Sequence, residues 1–210
     1  MPAIKGLLFD KDGTLFDFQA TWGGWTERVI VELSSGSAAL ADRLAELLGF
    51  DRQKAAFRPD SPVIALTVAE IRDLLLTILP EWNPVALLDQ MNDLAAQNRM
   101  VEVAPLVPLF QRFRDGGLRV GLATNDAEMP AKVHLKDAGI EGLFDFVAGY
   151  DSGWGGKPET GQMQAFLLQT GLAAGEVAMV GDSLHDLQSG RAAGMRTVAV
   201  LTGIAKRAEL

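Results

Sequence analysis

Cysteine is absent from this chain of 210 residues, so the chain has no disulfide framework, no thiol nucleophile and no thiolate zinc site. Positive charge is also scarce, because 19 Lys and Arg residues stand against 27 Asp and Glu residues and give a net charge of −8. This balance disfavours nonspecific binding to nucleic acid, which depends on neutralising phosphates with Lys and Arg. An acidic protein can still bind an anion where a metal ion and a lysine reverse the local field.

Long apolar stretches are missing as well. The longest of them, such as residues 74–79, are far too short to span a bilayer, and residues 1–5 lead into a predicted strand without a signal-peptide pattern. Hydrophobic residues make up 48% of the chain and charged residues 22%, which is typical of a globular protein. We therefore predict a cytoplasmic protein that binds neither membrane nor nucleic acid, and its oligomeric state stays open.

Short apolar runs alternate with helical patterns along much of the chain. The runs are residues 4–9, 118–123, 144–148, 177–180 and 197–201. The helical patterns are residues 130–138, 159–170 and 184–193, and a glycine follows each of them, as is usual past a last helical turn. This alternation predicts an α/β fold with a Rossmann-like parallel sheet and helices on both of its faces. Ligands of such sheets bind beyond the carboxyl ends of the strands, where Asp10, Thr124 and Asp182 lie.

Residues 18–99 do not follow this alternation. They show helical patterns at residues 22–33, 37–48, 67–79 and 84–101, which glycines and prolines separate. We therefore predict an all-helical domain at 18–99, inserted into a core domain formed by residues 1–17 and 100–210. The linkers are predicted near residues 15–19 and 102–108.

Two carboxylates flank Lys11 directly after the first predicted strand. Asp10 and Asp12 could share one side because strand side chains alternate in direction, and Gly13 allows a sharp turn of the backbone. Two carboxylates in one site do not easily ionise together unless a cation such as Mg²⁺ neutralises them. One carboxylate could then attack a phosphoryl group while the other shuttles a proton.

Three later segments supply the remaining groups for this chemistry. Thr124 and Asn125 offer a hydroxyl and amide donors suited to phosphate oxygens, although the same residues also suit a helix N-cap. Lys157 stands in a backbone segment restrained by glycine and proline and provides an ammonium group. Asp182 and Asp186 place two carboxylates across a strand-to-helix turn. Together the four segments predict a metal-assisted attack by an aspartate on a phosphoryl group.

These four segments, in this order, resemble the motifs of the haloacid dehalogenase superfamily, and specifically its phosphoglycolate-phosphatase-like phosphatases. The resemblance covers nearly the whole chain, with the insert placed where those relatives carry a helical cap. It implies that Asp10 is the nucleophile that forms a phospho-aspartyl intermediate and that Asp12 is the general acid and base. It also implies that Thr124 and Lys157 orient the phosphate, with Asn125 beside them.

The resemblance further implies the cofactor Mg²⁺. Its implied ligands are Asp10, the carbonyl group of Asp12, and Asp182, with Asp186 as a water-bridged or outer ligand. The activity expected from these features is Mg²⁺-dependent hydrolysis of a small phosphorylated metabolite, with phosphoglycolate as the substrate suggested by analogy. Two alternatives stay open, namely a phosphosugar mutase of the same superfamily, which uses the same aspartate pair, and a non-catalytic binding protein.

Four further residues carry expectations of their own. Residues 57–62 interrupt the helical pattern of the insert, and Arg58 is the candidate there for holding a second anionic group of the substrate. The alternative is a solvated turn between helices. We expect Lys11 to point away from its neighbouring carboxylates, and His134 and His185 to be partly exposed structural residues.

Overall fold

The structure is a computed structural model that describes residues 2–210. The strands are β1 (Gly6–Phe9), β2 (Phe50–Asp51), β3 (Ala56–Phe57), β4 (Arg119–Ala123), β5 (Phe146–Ala148), β6 (Val177–Gly181) and β7 (Arg196–Ala199). The helices are α1 (Phe18–Ser34), α2 (Ala38–Leu47), α3 (Val68–Leu76), α4 (Pro84–Ala96), α5 (Leu106–Asp115), α6 (Glu128–Asp137), α7 (Gly161–Thr170) and α8 (Leu184–Ala192). The chain divides into two compact units, Met1–Asp17 with Met100–Leu210, and Phe18–Arg99.

The first unit is built on a sheet of five parallel strands in the order β5-β4-β1-β6-β7. Strand β1 lies at its centre, where Phe9 pairs with Leu122 on one side and with Val180 on the other. The strand order reverses at β1, and such a reversal opens a crevice at the carboxyl ends of the neighbouring strands. The predicted parallel sheet is confirmed.

Both faces of this sheet are covered by helices. Successive strand residues point to opposite faces, so Phe9 and Leu122 belong to one apolar cluster while Leu8 and Ala123 belong to another. The first cluster includes Leu106 and Phe110 of α5 and Ala131 and Leu135 of α6. The second includes Met163, Ala165 and Phe166 of α7. The predicted α/β architecture with helices on both faces is therefore confirmed, and each large buried side chain contributes about 1.5–3 kcal/mol by leaving water.

Helix α5 is the main departure from the predicted elements. Residues 102–108 were expected to form a linker, but the helix begins at Leu106 and contains Pro108 in its first turn. Proline is tolerated there because the first N–H groups of a helix have no partner within the helix. The buried side chains of Leu106 and Phe110 then join the core of the sheet.

The unit Phe18–Arg99 contains α1 to α4 and one short antiparallel ladder between β2 and β3, which the helical patterns do not predict. Phe57 on this ladder packs on Phe18 and Phe50, with ring centroids 5.2 and 5.1 Å apart. Within α1, the rings of Trp22 and Trp25 meet edge to face at 5.3 Å. Across residues 2–210, no helix combines the length and the apolar character needed to cross a membrane.

Candidate active site

Three strand ends of the first unit carry predicted site residues. Asp10 follows β1, and its N–H donates to the carbonyl of Val180 at 2.9 Å, so the parallel pairing continues one residue past the strand. Thr124 follows β4 and Asp182 follows β6, the two strands that flank β1. The sheet therefore places these three residues at the same edge.

The turn after Asp10 requires the glycine at position 13. Gly13 has φ +80°, and its N–H donates to the carbonyl of Phe16 at 2.7 Å. A Cβ atom at this position would collide with the carboxylate of Asp182. The next residue, Thr14, donates from Oγ1 to Asp182 Oδ1 at 3.3 Å. The turn thus packs directly against the carboxylate of a residue that follows β6, almost 170 residues later in the chain.

Lys157 joins two of the predicted carboxylates. Its Nζ lies 2.5 Å from Asp10 Oδ1 and 2.6 Å from Asp186 Oδ1, and all three side chains are buried. Burial disfavours the charge of Lys157, but the two carboxylates outweigh it and raise the pKa of the ammonium. Asn125 holds the lysine backbone, since its Nδ2 donates to the Lys157 carbonyl at 3.0 Å and its Oδ1 accepts from the Lys157 N–H at 2.7 Å.

Asp10, Asp182 and Asp186 form a cluster in which carboxylate oxygens lie within 4.8 Å of one another. Ser183 fixes Asp186, because its N–H and its hydroxyl donate to Asp186 Oδ2 at 3.0 and 2.7 Å. Burial raises the pKa of Asp10 well above its ordinary value, against the opposing effect of Lys157. Burial and the nearby Asp186 also raise the pKa of Asp182 to about 6. This crowded set of oxygen donors fits a hard divalent cation.

Thr124 is buried at the end of β4, with 1% of its surface exposed. Its hydroxyl oxygen accepts from the N–H of Asp126 at 3.1 Å, and its carbonyl accepts from Gln162 Nε2 at 3.0 Å. Asp126 and Gln162 were not among the predicted site residues. A carboxylate two residues after a strand-end threonine was a usable signal for Asp126, whereas Gln162 carries no local signal.

The expectations for Lys11 and His134 are both wrong. Lys11 is fully buried, and its Nζ lies 2.8 Å from each carboxylate oxygen of Asp12, 3.3 Å from Asp126 Oδ2 and 3.3 Å from His134 Nδ1. His134 is also fully buried, whereas His185 is half-buried as expected. The physical reason is that a buried ammonium must be paired, so the lysine side chain turns to the carboxylates around it.

Lys11 forms a second charged cluster with Asp12 and Asp126, and the charges in this cluster affect one another. Burial opposes the charge of Lys11, but Asp12 and Asp126 outweigh it and raise the pKa of the ammonium. Burial raises the pKa of Asp126 to about 6, although the nearby Lys11 acts in the opposite direction. The cluster therefore holds a positive charge in contact with Asp12, the predicted general acid.

Arg58 belongs to the other unit, Phe18–Arg99. Its guanidinium pairs with Glu46, with Nη1 at 2.7 Å from Oε2, and lies 3.6 Å from Asp60. The structure thus gives Arg58 two acidic partners within its own unit. Its role in reading the substrate stays a prediction.

Comparisons with known proteins agree with the geometry. A family model described as haloacid dehalogenase-like hydrolase matches residues 7–200. Enolase-phosphatase E1 of Gluconacetobacter diazotrophicus is 29% identical over an alignment of 170 residues, and the match covers 68% of this chain and 68% of the relative. A phosphoglycolate phosphatase of Rhodospirillum rubrum is 33% identical over 90 residues, which cover 43% of this chain and 37% of the relative. A crystal structure of a phosphatase of this superfamily from Thermococcus onnurineus is similar in fold, with a TM-score of 0.63, 23% identity and coverage of 94% of this chain and 86% of that one.

Proposed function

Because the chain belongs to the haloacid dehalogenase-like hydrolase family and is a phosphatase, we propose that it hydrolyses a small phosphorylated metabolite with the help of Mg²⁺. The observation that carries this proposal is the position of Lys157, whose ammonium contacts both Asp10 and Asp186 beside the carboxylate of Asp182. One buried cation amid three carboxylates leaves an excess of negative charge that a divalent cation can balance, and the ion and the Lys157 ammonium can then bind an anionic phosphate ester.

Asp10 acts as the nucleophile in this proposal. One of its carboxylate oxygens bonds to the phosphorus while the bond to the leaving oxygen breaks, and Asp12 gives that oxygen a proton. A water molecule then attacks the phosphorus and gives its proton to Asp12, and the bond between phosphorus and Asp10 breaks. The products are the alcohol, inorganic phosphate and the original carboxylate of Asp10. Lys157 and the Thr124 hydroxyl hold the phosphoryl oxygens during both steps.

Asp10, Asp182, Asp186 and the carbonyl of Asp12 are the groups that would hold Mg²⁺. When bound, the ion supplies charge neutralisation for the carboxylate cluster and the phosphoryl group. The raised pKa values of Asp10 and Asp182 support this assignment, because they reflect carboxylates that are costly to ionise without a cation.

The two units have separate roles in the proposal. The sheet-containing unit is the hydrolase core, and Phe18–Arg99 is the cap that selects the substrate, with Arg58 as its candidate anion-binding side chain. Phosphoglycolate is the first substrate to try, because a relative of this chain is named phosphoglycolate phosphatase.

Release of inorganic phosphate from a panel of small phosphorylated metabolites, including phosphoglycolate, tests the proposal in Mg²⁺ and in EDTA. We expect Mg²⁺-dependent release, its loss in Asp10→Asn, and unchanged release in the control Asp137→Asn, which alters an exposed aspartate on α6. Turnover of Asp10→Asn at the rate of the original protein would refute the role of Asp10. Transfer of the phosphoryl group to a second hydroxyl, without phosphate release, would identify a mutase instead.

A further inference from the structure

The proposed reaction uses Lys157 but leaves the other buried lysine, Lys11, without a role. Its ammonium is fully buried and lies 2.8 Å from both oxygens of Asp12. Burying an ammonium group is costly unless its surroundings pair it, and a surface lysine next to Asp12 would avoid that cost. The arrangement therefore calls for a reason beyond chain packing.

Lys11 is anchored on the side away from Asp12. Its Nζ lies 3.3 Å from Asp126 Oδ2 and 3.3 Å from Nδ1 of the buried His134 on α6. Asp126 is itself held, because its Oδ1 accepts from the Ala127 N–H at 2.8 Å and its own N–H donates to the Thr124 hydroxyl at 3.1 Å. The ammonium is therefore fixed to the segment between β4 and α6 and to His134 in the last turn of α6.

A second observation shows that this anchor has little room to move. The Asp126 carbonyl accepts from the N–H of Tyr150 at 3.1 Å, and a Cβ atom on Gly149 would collide with the backbone at residues 126–128. The backbone that carries Asp126 is thus packed closely against the segment that follows β5. A rigid anchor can transmit its position to the carboxylate that Lys11 holds.

We propose that Lys11 is a positioning residue, whose anchored ammonium holds both oxygens of Asp12 and so orients this carboxylate for proton transfer. The inference rests on the proposed function, in which Asp12 protonates the leaving oxygen. An ammonium in contact with both oxygens restricts rotation of the carboxylate about its Cβ–Cγ bond. Proton transfer requires the acid within hydrogen-bond reach of the leaving oxygen, so a carboxyl group free to rotate transfers its proton less effectively.

The test compares leaving groups. An alkyl phosphate has a poor leaving group that needs the proton, whereas p-nitrophenyl phosphate has a good leaving group that needs it much less. In Lys11→Met, which keeps an unbranched side chain of nearly the same length but removes the ammonium group, we expect kcat/KM for the alkyl phosphate to fall about 10- to 100-fold. With p-nitrophenyl phosphate, we expect a fall of less than about threefold. A merely structural role for Lys11 would lower both values together.

Four further variants make the result decisive. Lys136→Met alters an exposed lysine on α6 and should change neither value. Asp12→Asn should show the same selective loss, and adding Lys11→Met to it should cause no further loss, because residues that act as a unit are not additive. If Lys11→Met leaves Asp126 unpaired and therefore fails to fold, the double variant Lys11→Met with Asp126→Asn, which removes both charges, is tested in place of the single variant.

These measurements separate failure of the positioning role of Lys11 from failure of the proposed function. A selective loss in Asp12→Asn but none in Lys11→Met would overturn the positioning role and leave the proposed function intact. Equal losses with both substrates in folded Lys11→Met, or losses that add to those of Asp12→Asn, would also overturn it. Full activity in Asp10→Asn, or no selective loss in Asp12→Asn, would instead refute the proposed chemistry itself.

Discussion

Replacing Asp182 with Asn should stabilise the metal-free protein above about pH 6 and remove most of its stabilisation by Mg²⁺. Burial first, and the nearby carboxylate of Asp186 second, raise the pKa of Asp182 from 3.8 to about 6 in the folded protein. Each tenfold change in proton affinity corresponds to about 1.4 kcal/mol, so this environment costs the ionised form on the order of 3 kcal/mol.

The direction of this pH effect on stability follows from proton linkage. The folded protein holds the proton on Asp182 more tightly than the unfolded chain does, so the associated stability is fully present below about pH 3.8. It is lost as the pH rises through about 6, where the folded carboxyl group ionises. In EDTA, the free energy of unfolding should therefore fall by up to about 3 kcal/mol more in the original protein than in Asp182→Asn between pH 4 and pH 7. The pKa of Asp10 is also raised by burial, so the free energy of unfolding should still fall with pH to some extent in both proteins.

Asn fits the position without repacking. Its Oδ1 can still accept the hydrogen bond from the Thr14 hydroxyl, which is 3.3 Å long with Asp182. It has the size of the aspartate that packs against the backbone of Gly13 and Gly203. A change in stability can therefore be assigned to the lost charge rather than to a cavity or a clash.

The assay is urea-induced unfolding followed by circular dichroism from pH 4 to pH 8, in EDTA and in excess Mg²⁺. A ligand at 100 times its Kd stabilises a protein by about 2.7 kcal/mol, a gain that the original protein should show and Asp182→Asn should largely lose. The exposed Asp137→Asn serves as the matched control. A pH profile of Asp182→Asn parallel to that of the original protein, or an equal gain from Mg²⁺, would refute the reasoning.

Two further predictions concern the support of the site. Asn125→Ala removes the two hydrogen bonds that hold the backbone of Lys157, so it should lower kcat/KM at least about tenfold and cost about 1–3 kcal/mol of stability, measurable by steady-state kinetics and urea unfolding. Unchanged kinetics would show that the position of Lys157 does not depend on these two hydrogen bonds. Gly203→Ala places a Cβ atom on the carboxylate of Asp182, so a Mg²⁺ titration of activity should reach half its maximum at a concentration at least about tenfold higher. An unaltered titration curve would contradict the close approach.

Much of the fold was accessible from local patterns. Strand β1 and its neighbours are short apolar runs bounded by turns, and α6 to α8 end next to glycines, so their existence and order were predictable. Helix α5 was missed because prolines at 105 and 108 suggest a linker, and only the burial of Phe110 against the sheet explains why that segment is helical. The β2–β3 ladder was missed because two-residue strands leave no periodic pattern.

Local patterns in the sequence are enough to identify the residues at the strand ends. Asp10, Thr124 and Asp182 follow apolar runs, and the parallel topology that such runs imply brings their carboxyl ends to one edge of a sheet. The side chains that surround these residues depend on contacts between distant parts of the chain. Lys11 contacts His134, which lies 123 residues later in the sequence, and no local periodicity predicts a contact between residues so far apart. Lys11 is buried because β1, the segment after β4 and helix α6 meet around it, and an ammonium enclosed there must turn to the carboxylates within reach.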